Sequence, residues 1–285
     1  MPRILIAGCG YVGEATADLF HKAGWAVQGW TNSPESAANL GGKPYPVIPL
    51  DIADGHKVGA RSENFDAVIH CASTRGGDAD LYRRVYFDGV RNLLNRFVGS
   101  TLLFTSSTSV YAQSDGSWVT EESETNPARE TSRTLLETEE LVVNGGGIVA
   151  RLAGIYGPGR SALLKKFSDG EATIDPVNDR FVNQVHRDDI AAALFFLLDR
   201  QPSGRGTYNV ADNQPILQSE CYRWLAKKLN RPVPPVGKST SASKRGASNK
   251  RVSNAKLRGL GWSARYPSFA EAMEKSILPS FAASS

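Results

Sequence analysis

Apolar and polar positions alternate in two rhythms along this chain. Short apolar runs at 3–7, 26–30, 45–50, 67–71, 101–106 and 147–152 have the length and residue types of buried strands. Between them lie stretches with helical spacing, at 12–23, 79–98 and 131–143. The first of these ends at Gly24, a natural helix stop. In the long second one, Leu81, Val85, Leu93 and Leu94 are among the apolar positions. Strand and helix in turn predict a parallel sheet covered on both faces. After Gly154 the rhythm loosens: helices are expected at 188–198, 219–229, 251–260 and 268–278, a short strand at 206–210 and a mobile loop at 232–249.

Composition narrows the class. The chain has 285 residues, 41% of them hydrophobic and 22% charged, enough to bury a large core and unlike a disordered chain. No apolar run approaches the roughly 18–20 residues that span a bilayer. Ile6-Ala7-Gly8-Cys9 resembles a lipoprotein cleavage box, but the apolar stretch before it is too short for a signal peptide. The three cysteines, Cys9, Cys71 and Cys221, are widely separated and form no CxxC. This argues against a disulfide framework or metal site and for a reducing cytoplasm.

Net charge is +4, unevenly spread. Residues 221–270 hold 12 Lys or Arg and no Asp or Glu, leaving 21 basic against 29 acidic residues elsewhere. A basic C-terminal segment suits an anionic partner, although a solvated face explains it equally well. Nucleic acid is disfavoured, because no helix-turn-helix or aromatic RNA-binding signature accompanies the charge.

The first strand runs into Gly8-Cys9-Gly10-Tyr11-Val12-Gly13, a GxGxxG at a strand-to-helix turn. Glycine there permits a tight turn and close approach of a pyrophosphate, to which the helix N-terminus offers N–H groups. The expected fold is α/β: a Rossmann-type doubly wound parallel sheet with a smaller C-terminal substrate lobe. Residues 1–155, completed by about 182–212, would form the dinucleotide-binding region; 156–181 and 213–285 would form the smaller lobe. The second strand ends in Trp30-Thr31-Asn32-Ser33, with no carboxylate to repel a 2′-phosphate and three side chains able to donate to one. NADP is favoured over NAD on that ground, although the expected arginine is missing too. Asp51, followed by Ile52, can accept from an adenine amino group; its plainer role is a loop cap.

Further segments make the chain resemble the extended short-chain dehydrogenase/reductases, the family of nucleotide-sugar epimerases and dehydratases. They are Leu50-Asp51-Ile52-Ala53-Asp54, Val68-Ile69-His70-Cys71-Ala72-Ser73 and Thr105-Ser106-Ser107-Thr108-Ser109-Val110-Tyr111. Arg151 with Tyr156-Gly157-Pro158-Gly159, His186-Arg187-Asp188-Asp189, Tyr208-Asn209-Val210 and Arg251–Leu257 with Gly261-Trp262 complete the series, which runs in order from residue 4 to about 270. The resemblance implies that Cys71, Ala72 and Ser73 lie beside the cofactor ribose. It also implies a sugar nucleotide as substrate and a homodimer through the helices at 79–98 and 131–143.

The same resemblance exposes a departure. Family chemistry uses Ser/Thr, Tyr and Lys together, and Ser107 aligns with the serine. In the helix where YxxxK belongs, Thr131 falls at the tyrosine and Leu135 at the lysine. A threonine hydroxyl cannot be tuned toward neutral pH as a phenol can, and leucine carries no charge. Tyr86 stands where relatives usually carry an asparagine that supports the lysine. Arg133 is a candidate replacement charge. Tyr111, Tyr86 and Tyr156 are candidate phenols, each more simply read as packing; Tyr111 is the best of them. Ser107 and Tyr111 are therefore the candidate catalytic residues. His70 reads as a packed residue and His186 as part of a structural motif. On the substrate side, Lys244, Arg245, Lys250 and Arg251 could meet a phosphate-bearing small molecule, with the 232–249 stretch closing over it. Three functions stay open: an oxidoreductase or epimerase-like enzyme with an atypical site, a non-catalytic NADP(H)-binding sensor or interaction protein and, resting only on the basic segment, a nucleic-acid-binding regulator built on this fold.

Overall fold

The central apolar runs fold as strands because they are buried on both faces, whereas the run at 47–49 is only partly buried. Ile4, Leu5, Ile6 and Ala7 have no exposed surface, and Ala67 to His70 are buried throughout. The computed structural model describes residues 1–74, 76–200, 205–237 and 248–282. Chain order is β1 (Arg3–Ala7), α1 (Tyr11–Lys22), β2 (Ala26–Thr31), α2 (Pro34–Ala38), β3 (Val47–Pro49), α3 (Gly55–Gly59) and β4 (Ala67–His70). Next come α4 (Ala79–Tyr82), a π-helical turn (Arg83–Asp88), α5 (Gly89–Arg96), β5 (Thr101–Ser107), β6 (Trp118–Val119), α6 (Glu130–Asn144), β7 (Ile148–Leu152) and β8 (Gly154–Tyr156). Then follow α7 (Ala162–Ser168), β9 (Phe181–Val182), β10 (Gln184–His186), α8 (Arg187–Phe195), β11 (Gly206–Val210), β12 (Ile216–Leu217), α9 (Gln218–Lys228) and β13 (Arg251–Val252). The last elements are α10 (Ala255–Gly259), α11 (Phe269–Ala272) and α12 (Leu278–Ala282).

Seven strands form one sheet in the order β11-β7-β5-β4-β1-β2-β3. The pairings among β1 to β5 are parallel, and helices carry the connections, as the alternating pattern predicted. The order reverses at β1, where the chain passes from β3 back to β4 on the other side. That is the switch point at which doubly wound sheets take ligands.

The chain divides into two compact units. The first comprises 1–110, 125–151 and 190–208; the second comprises 111–124, 152–189 and 209–285. Residues 111–124, which the sequence pattern assigned to the nucleotide-binding region, belong to the second unit. Its core gathers Tyr156, Phe167, Tyr222, Leu225, Phe269 and Met273. Small strand pairs support it: β8 with β10 and β6 with β13, both parallel, and β9 with β12, antiparallel.

Two expectations are corrected. The single helix expected at 251–260 is strand β13 followed by the short α10, because Arg251 and Val252 are drawn into a ladder with Trp118 and Val119. The long helix at 79–98 ends at Arg96 and is broken in pitch by the π-helical turn. Of the loop expected at 232–249, residues 238–247 lie outside the described residues, as do Lys244 and Arg245. Among the described residues, no helix is long and apolar enough to cross a membrane.

Candidate functional site

The GxGxxG turn meets its three constraints at three different glycines. Gly8 has φ +102°, and a Cβ there would lie 2.2 Å from the Ala72 backbone nitrogen. A Cβ on Gly13 would lie 2.2 Å from the Gly8 carbonyl oxygen. Gly10 is exposed, and a Cβ there would meet nothing within 4 Å. Two glycines are thus required by packing, while the middle one leaves open space in front of the turn. Trp30 carbonyl oxygen accepts from Gly8 N–H at 3.0 Å and Cys9 N–H at 2.8 Å, and Gly8 carbonyl accepts from Gly10 N–H at 2.8 Å. Tyr11, Val12 and Gly13 form the first turn of α1, where N–H groups have no preceding helical carbonyl, and no side chain caps this end. A positive helix end, exposed backbone and room for a ligand fit a pyrophosphate.

Around the turn, the other expected contacts take these places. Thr31 is buried and donates its hydroxyl to Ser33 carbonyl at 3.3 Å. Ser33 caps α2 by accepting from Ser36 N–H at 3.2 Å. Asn32 is exposed. Asp51 accepts from Ala53 N–H at 3.0 Å and faces Arg84 at 3.4 Å, so the plainer loop-capping role is present. Ile52 is buried, and its carbonyl accepts from Asn92 at 3.0 Å. Cys71 N–H donates to Ala7 carbonyl at 2.7 Å, which brings Ala72 against Gly8; Ser73 is exposed. Cys9 is buried, with its sulfur 2.9 Å from the Cβ position of Gly29. Burial pushes the thiols of Cys9 and Cys71 up to about 12, and raises that of Cys221 as well.

Ser107 ends β5 with intermediate exposure, and its hydroxyl oxygen accepts from Ser109 N–H at 3.1 Å. On α6, Thr131 has intermediate exposure and Leu135 is buried, so the inner face of that helix presents no cation at either position. Arg133 does not supply one: it is exposed and donates to Ala128 carbonyl at 3.1 Å. Tyr111 is 1% exposed and belongs to the second unit, where its hydroxyl donates to Asn209 at 2.9 Å. Tyr156 is equally buried; burial, with Asp212 and Asp189 nearby, raises its pKa. His70 is fully buried, and burial holds its pKa down to about 4. His186 is likewise held at about 4, chiefly by burial. Lys250 is buried, with Nζ 3.1 Å from Tyr111 carbonyl. Arg251 donates to Gly116 carbonyl at 2.8 Å and stacks over Trp118 and Phe181. Both basic residues therefore brace the second unit.

The linear pattern missed one cluster. Ser106 donates to Glu139 at 2.5 Å, and Arg151 grips the same carboxylate at 2.7 and 3.0 Å, with all three side chains buried. The available signal was Glu139 lying four residues beyond Leu135, on the buried stripe of α6.

Comparison with known proteins decides the lineage: the model of the NAD dependent epimerase/dehydratase family matches residues 4–211. The chain belongs to that family. A Methylobacillus flagellatus structure, named as a candidate NAD-dependent epimerase/dehydratase, is 26% identical, with each chain 99% covered and a TM-score of 0.81. MoeE5, solved with UDP-glucose and NAD, is 18% identical over 99% of this chain and 100% of that one, with a TM-score of 0.81. The human epimerase family protein SDR39U1, solved with NADPH, is 17% identical over 96% and 98%, with a TM-score of 0.76. These last two share the epimerase/dehydratase fold with this chain. No curated protein matches it by sequence.

Proposed function

We propose that this epimerase/dehydratase-family protein binds NADP(H), or else NAD(H), and is an oxidoreductase or epimerase/dehydratase-like enzyme with a non-standard active site. The observation that carries the reading is the glycine turn, packed shut at Gly8 and Gly13 and open at Gly10. Val12 and Gly13 would hold the pyrophosphate by N–H groups, Asp51 the adenine, and Cys71, Ala72 and Ser73 the ribose side. Asn32 is the exposed donor for a 2′-phosphate, and the absence of a carboxylate at the end of β2 supports NADP. A bound nicotinamide supplies the hydride acceptor or donor. Ser107 is the proposed hydroxyl facing substrate. Tyr111 is the weaker candidate, since its phenol is already bonded to Asn209. MoeE5's UDP-glucose makes a sugar nucleotide the first substrate class to try. The three free cysteines suit a reducing cytoplasm, and a homodimer is part of the proposal.

A second reading, a non-catalytic NADP(H) sensor or interaction protein, is favoured by Thr131 and buried Leu135 at the tyrosine and lysine positions and by Arg133 turning to Ala128. The deciding experiment titrates purified protein with NADPH, NADP, NADH and NAD, then follows nicotinamide absorbance with sugar nucleotides. Binding with NADPH preferred supports the cofactor assignment. Turnover then selects the enzyme, and binding without turnover across the panel selects the sensor. If none of the four binds, the cofactor assignment is wrong.

A further inference from the structure

The turn after β2 leaves one demand of a 2′-phosphate unmet, since such a group is best held by a cation. Thr31, Asn32 and Ser33 include neither arginine nor lysine. The sheet brings a second turn to the same corner. Pro49 stands beside Thr31 in the β2–β3 ladder, and Leu50 N–H donates to Thr31 carbonyl at 2.7 Å. The turn that follows β3 therefore starts alongside Asn32, and Asp51 lies in it. Asp51 Oδ1 accepts from Ala53 N–H at 3.0 Å. Its Oδ2 lies 3.4 Å from Arg84 Nη2. An arginine from a distant helical segment thus reaches the corner where the β2 turn has none.

Arg84 differs from the arginines around it. Arg83 donates to Glu137 at 2.9 Å and Arg91 to Asp88 at 2.8 Å. Arg96 donates to the carbonyls of Arg61 and Glu63 at 2.6 and 2.8 Å. Among the described residues Arg84 has the long contact with Asp51 alone, and its side chain is 62% exposed. Its backbone is nevertheless fixed at the carboxyl edge of the sheet. Arg84 lies in the π-helical turn Arg83–Asp88, and the carbonyl of the next residue, Val85, lies 2.9 Å from His70 Nε2 at the end of β4. Tyr86 in the same turn faces inward, its ring against His70 and Phe104. The base of Arg84 is rooted while its guanidinium has room to turn. We infer that Arg84 supplies the missing cation, turning its fork from Asp51 to the 2′-phosphate and freeing Asp51 for the adenine amino group. The inference rests on the cofactor reading of the glycine turn and narrows it to 2′-phosphorylated adenine nucleotides. Arg84 is thereby a specificity-determining residue, with no part in proton transfer.

The test uses the full chain with Arg84→Ala and Arg84→Glu. Each protein is titrated by calorimetry with adenosine 2′,5′-bisphosphate and with 5′-AMP, which differ only in the 2′-phosphate, and melted without ligand. The wild type is expected to prefer the bisphosphate. Arg84→Ala should raise the Kd for the bisphosphate about tenfold, the scale of one charge-assisted hydrogen bond, and Arg84→Glu should raise it further. The Kd for 5′-AMP should stay near the wild-type value in both variants. Melting temperatures should stay unchanged too, because an exposed ion pair contributes little to stability. Equal losses for the two nucleotides overturn the inference, since Arg84 would then serve the adenine or the fold. Unchanged bisphosphate affinity in Arg84→Ala overturns it as well, as does a wild-type chain that binds the two nucleotides equally. A wild-type chain that binds neither of them, nor any of the four dinucleotides, removes the cofactor reading and the inference with it.

Discussion

Gly8 and Gly10 lie two residues apart and answer to different constraints. At Gly8 a methyl group would collide with backbone, and φ +102° is a region L side chains rarely adopt. Gly8→Ala is expected to lower the melting temperature. Gly10 has φ −106° and open space before it, so Gly10→Ala should fold and melt like the wild type. Its NADPH affinity should nevertheless fall at least tenfold, because the added methyl stands in the ligand's place. Equal affinity in a fluorescence titration would contradict the cradle. His70 gives a second residue-level expectation. Its pKa is about 4 folded and about 6.5 unfolded. As pH falls through 6.5 the unfolded chain takes up the proton first, so stability present above 6.5 drains away down to pH 4. The loss is about 3 kcal/mol for this one ring. Urea unfolding across that window should be less pH-dependent in His70→Phe than in the wild type. His186, also held at about 4, leaves slope in both proteins, and the difference belongs to His70.

Among the elements, α6 is tied to the sheet by one buried cluster. Glu139, on the same stripe as Leu135, joins Ser106 on β5 to Arg151 on β7. Removing one member of a buried ion pair strands the other, at a cost of roughly 3–5 kcal/mol. Glu139→Ala is therefore expected to destabilise the first unit by about that much in urea, whereas Ser106→Ala should cost about 1 kcal/mol. If Glu139→Ala proves neutral, the pair does not anchor the helix. The helix was legible from its spacing, but the triad was not, since its members lie on three elements and only folding brings them together. The same limit hid the strand pairs. Trp118–Val119 and Arg251–Val252 have two residues each, too few for an alternating pattern to register. Arg83–Asp88 likewise has the composition of ordinary helix, and its π pitch comes from tertiary contacts such as His70 with Val85.

At the level of the whole molecule, the family was legible because its signature segments are short, contiguous and ordered along the chain from residue 4. In the glycine turn, the fold and the proposed binding also place their demands on the same six residues. The division into units was less so. Residues 111–124 follow β5 directly in sequence, but they pair with β13 more than 130 residues away, a partnership that no local pattern announces. The chemical state of the three cysteines has a practical corollary. Thiol reagents attack the thiolate, and Cys9 and Cys221 are buried, with burial raising both thiols. These two cysteines should thus ignore alkylating reagents in the native chain and react only as it opens. Cys9 would time the first unit and Cys221 the second, so mass-resolved labelling during a slow heat ramp would reveal which opens first. The protein carries its own stopwatches, one in each unit, with no label to be engineered.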